Sequence, residues 1–252
     1  MNTSKPEPFA AFSSSAVLVV GVGGLGCPAA LALARAGVGR LVLADDDVVD
    51  VTNLHRQILF SDRDVGKDKL DAAAAALSRL APGASKIELV RSRLLPDNAR
   101  ELVRSVDVVL EGSDNFATKF LAADACRLES RPVVHASAVR FVGTAWAVAA
   151  NGRPCYRCLF EDLPAGDEQP NCESAGVLGP VTGFVGALAA DLALRVLSGD
   201  RAAPGVIHTF DGLRDRLRAV PVAARPGCPL CGESPTICDT EETRYTATSR
   251  AA

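Results

Sequence analysis

The chain has 252 residues, which is long enough for one α/β domain with a full hydrophobic core. Its 27 basic and 30 acidic residues give a net charge of −3, so the composition shows no electrostatic footprint for nucleic acid or for an anionic membrane. The N-terminus lacks the pattern of a signal peptide, and no apolar run elsewhere is expected to reach the length that spans a membrane. We therefore expect a cytoplasmic protein with a protein or small-molecule partner, whose eight cysteines are reduced.

Apolar strands and helices alternate in the first half of the chain. Residues 16–20 form a continuous apolar run that ends at a glycine-rich turn, as a buried parallel strand does. Further strands are predicted at 40–44, 87–90 and 106–110, and helices at 28–36, 71–80 and 96–104. This alternation predicts a doubly wound, mostly parallel, Rossmann-like sheet.

The pattern changes after residue 132. Residues 133–135 and 143–149 favour β-structure, which predicts an antiparallel C-terminal extension of the sheet, and 182–197 predict a long apolar helix. The tail from residue 236 is rich in Thr, Glu and Ser and is expected to be disordered. The sequence thus predicts a short N-terminal segment (1–15), a single folded domain (16–235) and a disordered tail (236–252).

A glycine-rich turn follows the first strand and opens the first helix. Its glycines, Gly21, Gly23, Gly24 and Gly26, leave backbone N–H groups and a helix N-terminus open to an anion. Asp45 lies nineteen residues after Gly26, the interval expected of a carboxylate that binds a ribose hydroxyl. These two features predict a nucleotide site, and they fit an NAD(P)-dependent oxidoreductase as well as an ATP enzyme. A plain strand-to-helix turn is the remaining alternative.

Polar side chains further along the chain favour ATP over NAD. They are Asp47, Asn53, Arg56, Gln57, Lys69, Asp114 and Asn115. Arg56 and Lys69 can neutralise a triphosphate, and Asp114 can hold Mg²⁺, which prefers oxygen ligands and substrate phosphates. Any one of these charges alone would be read as a surface group. Because they follow successive carboxyl ends of strands, together they predict an Mg-ATP site and favour adenylation over hydride transfer.

The cysteines form two C-x₂-C pairs, Cys155 with Cys158 and Cys228 with Cys231, which are separated by 69 residues. Four thiolates make a closed tetrahedral zinc site with no open position for water, so the pairs predict structural zinc. A redox role for either pair is the alternative. Cys172 lies in a polar segment, where a loop thiol can act as a nucleophile, and an inert loop cysteine fits that position equally well.

In combination these residues resemble the bacterial ThiF/MoeB/HesA proteins, simpler relatives of ubiquitin-activating enzymes. The resemblance covers residues from about Val17 to Gly232. It rests on the glycine turn with Cys27, Asp45-x-Asp47, Asn53-Leu-x-Arg56-Gln57, Gly66-x-x-Lys69, Ser113-Asp114-Asn115, Cys155-Tyr-Arg-Cys158-Leu-Phe and Gly176-Val-Leu-Gly-Pro180. Within the family, residues 43–47, 136–139 and 171–172 look most like the thiamine-pathway branch.

The resemblance implies a homodimeric, ATP-dependent adenylyltransferase. Its substrate would be the C-terminal glycine of a small ubiquitin-like sulfur-carrier protein, ThiS- or MoaD-like, and its product would serve sulfur transfer in thiamine or related cofactor biosynthesis. The resemblance places Gly24 and Asp45 on the nucleotide, with Asp45 on the ribose. It also places Asn53, Arg56 and Lys69 on the phosphates, Asp114 on Mg²⁺ beside Asn115, Cys172 at the sulfur-linked intermediate with the carrier, and the four paired cysteines on structural zinc.

Two positions depart from the family pattern. Family members usually begin with a helix carrying an Arg-Tyr-x-Arg-Gln-like segment, from which an arginine reaches the ATP of the partner subunit, whereas the first arginine here is Arg35. Lys119 replaces an arginine that often follows Asp-Asn, which keeps the charge without the bidentate fork. The first departure favours a second hypothesis, a catalytically weakened scaffold that binds a carrier. A third is adenylation of a peptide C-terminus in natural-product synthesis.

Overall fold

The computed structural model describes residues 11–163 and 175–245. The strands are β1 (Ala16–Val20), β2 (Arg40–Ala44), β3 (Lys86–Val90), β4 (Val108–Glu111), β5 (Val133–Val139), β6 (Val142–Val148), β7 (Val206–Asp211) and β8 (Arg216–Pro221). The helices are α1 (Gly26–Arg35), α2 (Lys69–Leu80), α3 (Ala99–Arg104), α4 (Phe116–Leu128), α5 (Tyr156–Leu159) and α6 (Gly179–Leu197). Short 3-10 turns lie at Val51–Asn53, Asp62–Asp64 and Glu242–Tyr245.

All eight strands belong to one sheet, in the order β3-β2-β1-β4-β5-β6-β7-β8. The pairs from β3 through β5 are parallel, and the β5–β6, β6–β7 and β7–β8 pairs are antiparallel. The predicted fold class, a doubly wound sheet with an antiparallel extension, is confirmed. The order of the strands reverses between β1 and β4, and the crevice at such a point is where open α/β sheets bind ligands.

Helices cover both faces of the sheet. Side chains of β1 alternate between two cores: Val17 and Val19 pack with α1, α2 and α6, while Leu18 and Val20 pack with α3 and α4. A strand that is buried on both faces must be apolar throughout, which explains the unbroken run that the sequence showed. The sheet is therefore fixed from both sides, and the loops at its carboxyl edge start from rigid strands.

Helix α6 is the long apolar helix that the sequence predicts. Within the described residues it is the one helix whose length and composition would suffice to cross a membrane, with a mean hydropathy of 1.5, so the expectation that no apolar run reaches that length is wrong for α6. Its apolar character has a local cause, because the helix packs on α1 and on the inner face of the sheet extension. A side chain at Gly186 would collide with the Leu25 carbonyl, which shows how closely α6 and α1 approach.

Two parts of the fold differ from the sequence-based expectation. The β7–β8 hairpin was not predicted, although β8 pairs with β7 over its whole length, from Asp211 opposite Arg216 to Val206 opposite Pro221. Every residue of β8 is exposed, so the burial that makes an apolar strand recognisable in a sequence is missing.

The expected disorder of the tail is wrong for residues 236–245. Tyr245 is buried, and its hydroxyl donates a hydrogen bond to the carboxylate of Asp124 on α4, with a distance of 2.9 Å from Oη to Oδ2. Thr240 also donates to the carbonyl of Pro96 at 2.9 Å. These tertiary contacts order a segment whose composition is polar, and composition alone could not reveal them.

Candidate nucleotide-binding site

The glycine turn lies at the reversal point between β1 and β4. Gly21 has a φ of +83°, which favours glycine, and a side chain at Gly26 would collide with the Gly21 carbonyl. A Cβ built on Gly21 would lie 3.4 Å from the backbone of Gly112 and Ser113, so the turn touches the loop that follows β4. The predicted phosphate-binding turn and the predicted Asp114 loop therefore adjoin each other.

Asp45 directly follows β2 and connects this strand to the glycine turn. Its Oδ2 accepts a hydrogen bond from the Val22 N–H at 2.6 Å, and its Oδ1 accepts one from the Asp47 N–H at 2.9 Å. The carboxylate is half-buried at the mouth of the turn. This is the position from which a carboxylate reaches a ribose hydroxyl when a phosphate occupies the turn.

Lys69 begins α2 and points back toward the same edge of the sheet. Its Nζ lies 2.8 Å from Oδ2 of Asp47, and its side chain is almost fully buried while that of Asp47 is half-exposed. The sequence predicts both residues at the nucleotide. The structure brings them together as an ion pair whose acidic member faces solvent and whose cation lies just beneath it.

Arg56 and Gln57 approach the glycine turn from the 51–57 segment. A Cβ built on Gly24 would lie 3.2 Å from Cγ of Arg56, and one built on Gly23 would lie 3.8 Å from Nε2 of Gln57. The backbone carbonyl of Asn53 accepts hydrogen bonds from the N–H groups of both Arg56 and Gln57, each at 3.1 Å, which closes this segment into a tight turn. Arg56 and Gln57 thus lie against the predicted phosphate site, and Asn53 belongs to the tight turn that holds them.

Asp114 lies in the loop between β4 and α4. Its carboxylate is exposed, and within the described residues it makes no hydrogen bond or ion pair. The neighbouring Asn115 caps α4, because its Oδ1 accepts from the Thr118 N–H at 2.8 Å. An exposed, unpaired carboxylate fits Mg²⁺, which keeps several waters and takes few protein ligands beside substrate phosphates. Asn115, predicted to contact the nucleotide, serves here as a helix cap.

Arg93 is a cation at this edge that the sequence interpretation missed. It follows β3, its Nε lies 2.9 and 3.0 Å from the two carboxylate oxygens of Asp46, and its Nη2 lies 4.0 Å from Oδ1 of Asp47. The hydrogen bond and charge of Asp46 raise the pKa of Arg93, and Asp47 and Asp114 add to the effect. The signal that could have found it is its place just after a strand, the same criterion that selected Asp45 and Asp114.

Thr182 on α6 is a second residue that was not predicted at the site. A Cβ built on Gly24 would lie 3.3 Å from the Cβ of Thr182 and a similar distance from Cγ and Cδ of Arg56. The Thr182 hydroxyl donates to the Gly179 carbonyl at 2.7 Å, which stabilises the first turn of α6. The sequence offered no sign of this contact, because it depends on how α6 crosses α1.

The four paired cysteines come together on one side of the domain. Their sulfur atoms all lie within 4.8 Å of one another, with Sγ–Sγ distances of 3.4 Å for Cys155–Cys228 and Cys158–Cys231 and 3.9 Å for Cys155–Cys158. Tetrahedral zinc with Zn–S bonds of about 2.3 Å requires sulfurs about 3.8 Å apart, so the cluster fits zinc. Arg225 donates its backbone N–H toward Cys158 Sγ at 3.4 Å, as a supporting group around a thiolate does.

One predicted site residue cannot be placed. Cys172 lies in the stretch 164–174, outside the residues that the structure describes. The remaining predicted nucleotide ligands lie around the glycine turn, at the carboxyl ends of β1, β2 and β4. Arg56 and Lys69, from the connection between β2 and α2, and Asp114, from the loop after β4, lie at this carboxyl edge of the sheet.

Comparison with known proteins identifies the family. The chain belongs to the ThiF family, whose profile matches residues 5–230. The SAMP-activating enzyme E1 of Haloferax volcanii is 42% identical over 234 residues, which cover 92% of this chain and 86% of that protein. The adenylyltransferase and sulfurtransferase MOCS3 of Sus scrofa is 44% identical over 232 residues, which cover 91% of this chain and 51% of that protein. The chain therefore spans about half the length of MOCS3.

Solved structures confirm the fold. The crystal structure of Escherichia coli MccB with ATP superposes with a TM-score of 0.76 at 20% identity, covering 88% of this chain and 68% of that one. At this identity the likeness concerns the fold alone. The named adenylyltransferase and activating enzyme among the sequence relatives confirm the prediction of an enzyme of the nucleotidyltransferase class, whereas none of the relatives named here is an oxidoreductase.

Proposed function

We propose that this protein uses ATP and Mg²⁺ to adenylate the C-terminal glycine of a small ubiquitin-like sulfur-carrier protein, ThiS- or MoaD-like. The observation that carries the proposal is the position of Arg56, Lys69 and Asp114 around the glycine turn. The names of the sequence relatives, a SAMP-activating enzyme and an adenylyltransferase with sulfurtransferase, support the same class of substrate.

The chemistry requires little help from a general base. A C-terminal carboxyl has an ordinary pKa of about 3.5, so the nucleophile is already ionised at neutral pH. One of its oxygens attacks the α-phosphorus of ATP, the bond to the β-phosphate oxygen breaks, and pyrophosphate leaves with the electron pair. The protein must hold the two reactants in line and offset the charge that develops on the leaving group.

We propose the following roles for the residues around the glycine turn. The glycine turn and the N-terminus of α1 would receive phosphate oxygens, and Asp45 would hold the ribose. Arg56, Lys69 and Asn53 would bind the phosphates, with Gln57 beside them. Asp114 would hold Mg²⁺, which neutralises phosphate charge when it is bound.

In a later step, the terminal sulfur of a persulfide, which a separate sulfur donor supplies, would displace AMP from the carrier, and a thiol would reduce the resulting acyl disulfide to the thiocarboxylate. We propose Cys172 as the thiol of a sulfur-linked intermediate in that step, and thiamine or a related cofactor as the pathway served. A free thiol requires a reducing compartment, which supports a cytoplasmic location. We also propose a homodimer, the assembly that the resemblance implies, and structural zinc at the four paired cysteines.

Pyrophosphate exchange tests the adenylation step. Labelled pyrophosphate should enter ATP only when a carrier with a free C-terminal glycine is present, and a carrier lacking that glycine is the matched negative control. Asp114→Ala should lower the exchange rate by roughly 10²-fold, since it removes a group that stabilises developing charge. Exchange by Asp114→Ala at the wild-type rate would remove Asp114 from the mechanism.

The same assay separates the rival functions. Carrier binding without exchange would indicate the scaffold, and exchange driven by a peptide rather than by any carrier would indicate peptide adenylation. Cys172→Ser should retain exchange and lose thiocarboxylate formation. Loss of exchange in Cys172→Ser would place the thiol before the adenylate instead.

A further inference from the structure

A buried charged cluster lies directly beneath the Asp114 loop. It consists of Glu111 at the end of β4, Lys119 on α4 and His135 on β5, all of them buried. Lys119 Nζ lies 2.8 Å from Glu111 Oε2 and donates to the Ala136 carbonyl at 2.7 Å, while His135 Nδ1 lies 3.3 Å from the same Glu111 oxygen. Lys119, which replaces the family's arginine, therefore pairs with Glu111 in the interior.

The second oxygen of Glu111 holds the loop. Its Oε1 accepts a hydrogen bond from the Ser113 N–H at 2.7 Å and another from the Ser113 hydroxyl. On the other side of Asp114, Asn115 is fixed as the cap of α4. Asp114 is thus an exposed residue between two anchored neighbours, and one of the anchors is the carboxylate of Glu111.

The charge of Glu111 is maintained by its neighbours. Burial alone would raise the pKa of Glu111, but the charge of Lys119 and the hydrogen bond and charge of His135 lower it to about 2. Burial also lowers the pKa of His135, whose Nδ1 lies within hydrogen-bonding distance of the Glu111 carboxylate. A carboxylate with no exposed surface carries a large desolvation cost, so removing either of its partners would leave a buried charge uncompensated.

We infer that Glu111 is a positioning residue, which fixes the Ser113–Asp114 loop so that the Asp114 carboxylate is aimed at the metal of the bound nucleotide. This inference rests on the proposed function of Asp114 as the magnesium ligand. One carboxylate oxygen is anchored on Lys119 and His135, and the other determines where Ser113 lies. Groups that orient a metal ligand typically change metal affinity by about 10- to 100-fold when they are replaced.

A purely structural role is the competing explanation, and the chain offers a matched control for it. Asp124 on the same helix α4 is equally buried and pairs with Arg157, with Nε 2.8 Å from Oδ1. This second ion pair lies away from the Asp114 loop. Asp124→Asn should lower stability as a change at Glu111 does, but it should leave metal binding unaltered.

The experiment measures binding of Mn²⁺ in the presence of ATP by electron paramagnetic resonance. Glu111→Asp keeps the charge but is one methylene shorter, so one carboxylate can no longer reach Lys119 and Ser113 together. We expect its Mn²⁺ affinity to fall by about tenfold, while the affinity for ATP without metal changes by less than about threefold. Wild-type Mn²⁺ affinity in a folded Glu111→Asp protein, or an equal loss in Asp124→Asn, overturns the inference.

Ser113→Ala is the second variant, for the case in which Glu111→Asp does not fold. It keeps the buried ion pair and removes one of the two bonds from Ser113 to Glu111, so a smaller loss in the same direction is expected. Unchanged Mn²⁺ affinity in Ser113→Ala contradicts the inference. Because metal binding needs no carrier, a protein that shows these losses but no carrier-dependent exchange would refute the proposed function alone. A wild-type protein that binds no Mn²⁺ with ATP would overturn both.

Discussion

Lys69 and Asp47 form an ion pair across the loop that joins β2 to α2, with Nζ 2.8 Å from Oδ2. The lysine side chain is 6% exposed and the aspartate side chain 54% exposed, so the pair places a buried cation directly beneath an exposed carboxylate at the predicted nucleotide site. Two residues earlier, Lys67 is exposed and pairs with Asp64 at 3.0 Å. Lys67 and Lys69 are two residues apart and carry the same charge, but the side chain of Lys67 is exposed whereas that of Lys69 is buried.

Lys69→Met should therefore lower carrier-dependent pyrophosphate exchange by roughly 10²-fold, the effect expected when a group that stabilises developing charge is removed. Lys67→Met, the matched control, removes an exposed charge and should exchange at the wild-type rate. The comparison is read from kcat and from the KM for ATP. Equal losses in the two variants would mean that net charge, rather than position, explains the effect.

Gly24→Ala should weaken ATP binding, because the new methyl group would lie 3.2 and 3.3 Å from the stem of Arg56 and 3.3 Å from Thr182. Arg56 must then shift, and a displacement of about 1 Å at a phosphate ligand can cost up to roughly 10²-fold in rate. Gly183→Ala is the control, since a Cβ there meets nothing within 4 Å on helix α6. An unchanged KM for ATP in Gly24→Ala would show that Arg56 does not need its place against Gly24.

The purified protein should contain one zinc ion per chain. Cys228→Ser should lose that zinc and lower the Tm by roughly 5 °C or more, because each kcal/mol moves the Tm of a chain of this size by about 2–4 °C. Cys238→Ser should change neither quantity, since Cys238 is exposed and lies outside the four-cysteine cluster. Zinc content is measured by elemental analysis, and full zinc in Cys228→Ser would contradict the assignment.

Acid should destabilise the protein in part through Glu111. Its pKa is about 2 in the folded protein against 4.5 ordinarily, so its contribution is fully present above pH 4.5 and is lost as the pH falls from 4.5 toward 2. The difference corresponds to on the order of 3 kcal/mol. Glu111→Gln should be less stable at pH 7 and show a smaller slope of unfolding free energy over that range, as measured by urea unfolding. A slope equal to that of the wild type would rule out Glu111 as its source.

Protonation of His135 should also destabilise the protein in acid, but at a higher pH than protonation of Glu111. Burial lowers its pKa below the ordinary 6.5, so protonation favours the unfolded chain and stability declines as the pH falls below 6.5. His135→Gln should flatten the wild-type decline between pH 6.5 and 4.5. Persistence of that decline in the variant would assign it to other groups.

The sequence predicted the parallel half of the fold well, because buried strands carry a strong signal. Both β1 and β2 have the predicted bounds of 16–20 and 40–44, since each carries an unbroken apolar run, after Arg40 in β2, that stops at glycine or aspartate. The hairpin of β7 and β8 escaped prediction because its outer strand is entirely exposed and carries alternating arginines. A strand at the edge of a sheet is specified by its pairing, and pairing leaves no simple pattern in the chain.

The sequence selected residues for the candidate site more readily than it predicted the contacts that those residues make. Motif spacing located Arg56, Lys69 and Asp114, because ligands that follow parallel strands must meet at one edge of the sheet. It did not show that Lys69 is paired with Asp47, that Asn115 caps α4 or that Lys119 turns inward to Glu111. Those facts depend on side-chain directions, which follow from the packing of α4 and α2 and not from spacing.

Helix α4 spans the distance between the nucleotide rim and the cysteine cluster. Its cap, Asn115, adjoins Asp114, and Asp124 lies nine residues further on, about 14 Å along the axis at 1.5 Å per residue. There the helix is held by Arg157, which lies in the sequence between Cys155 and Cys158 of the predicted zinc site. The helix thus connects two predicted metal sites that have no ligand in common. A protein stripped of its zinc should therefore loosen this helix at its Arg157 end, while Glu111 still holds the Ser113–Asp114 loop at the other end.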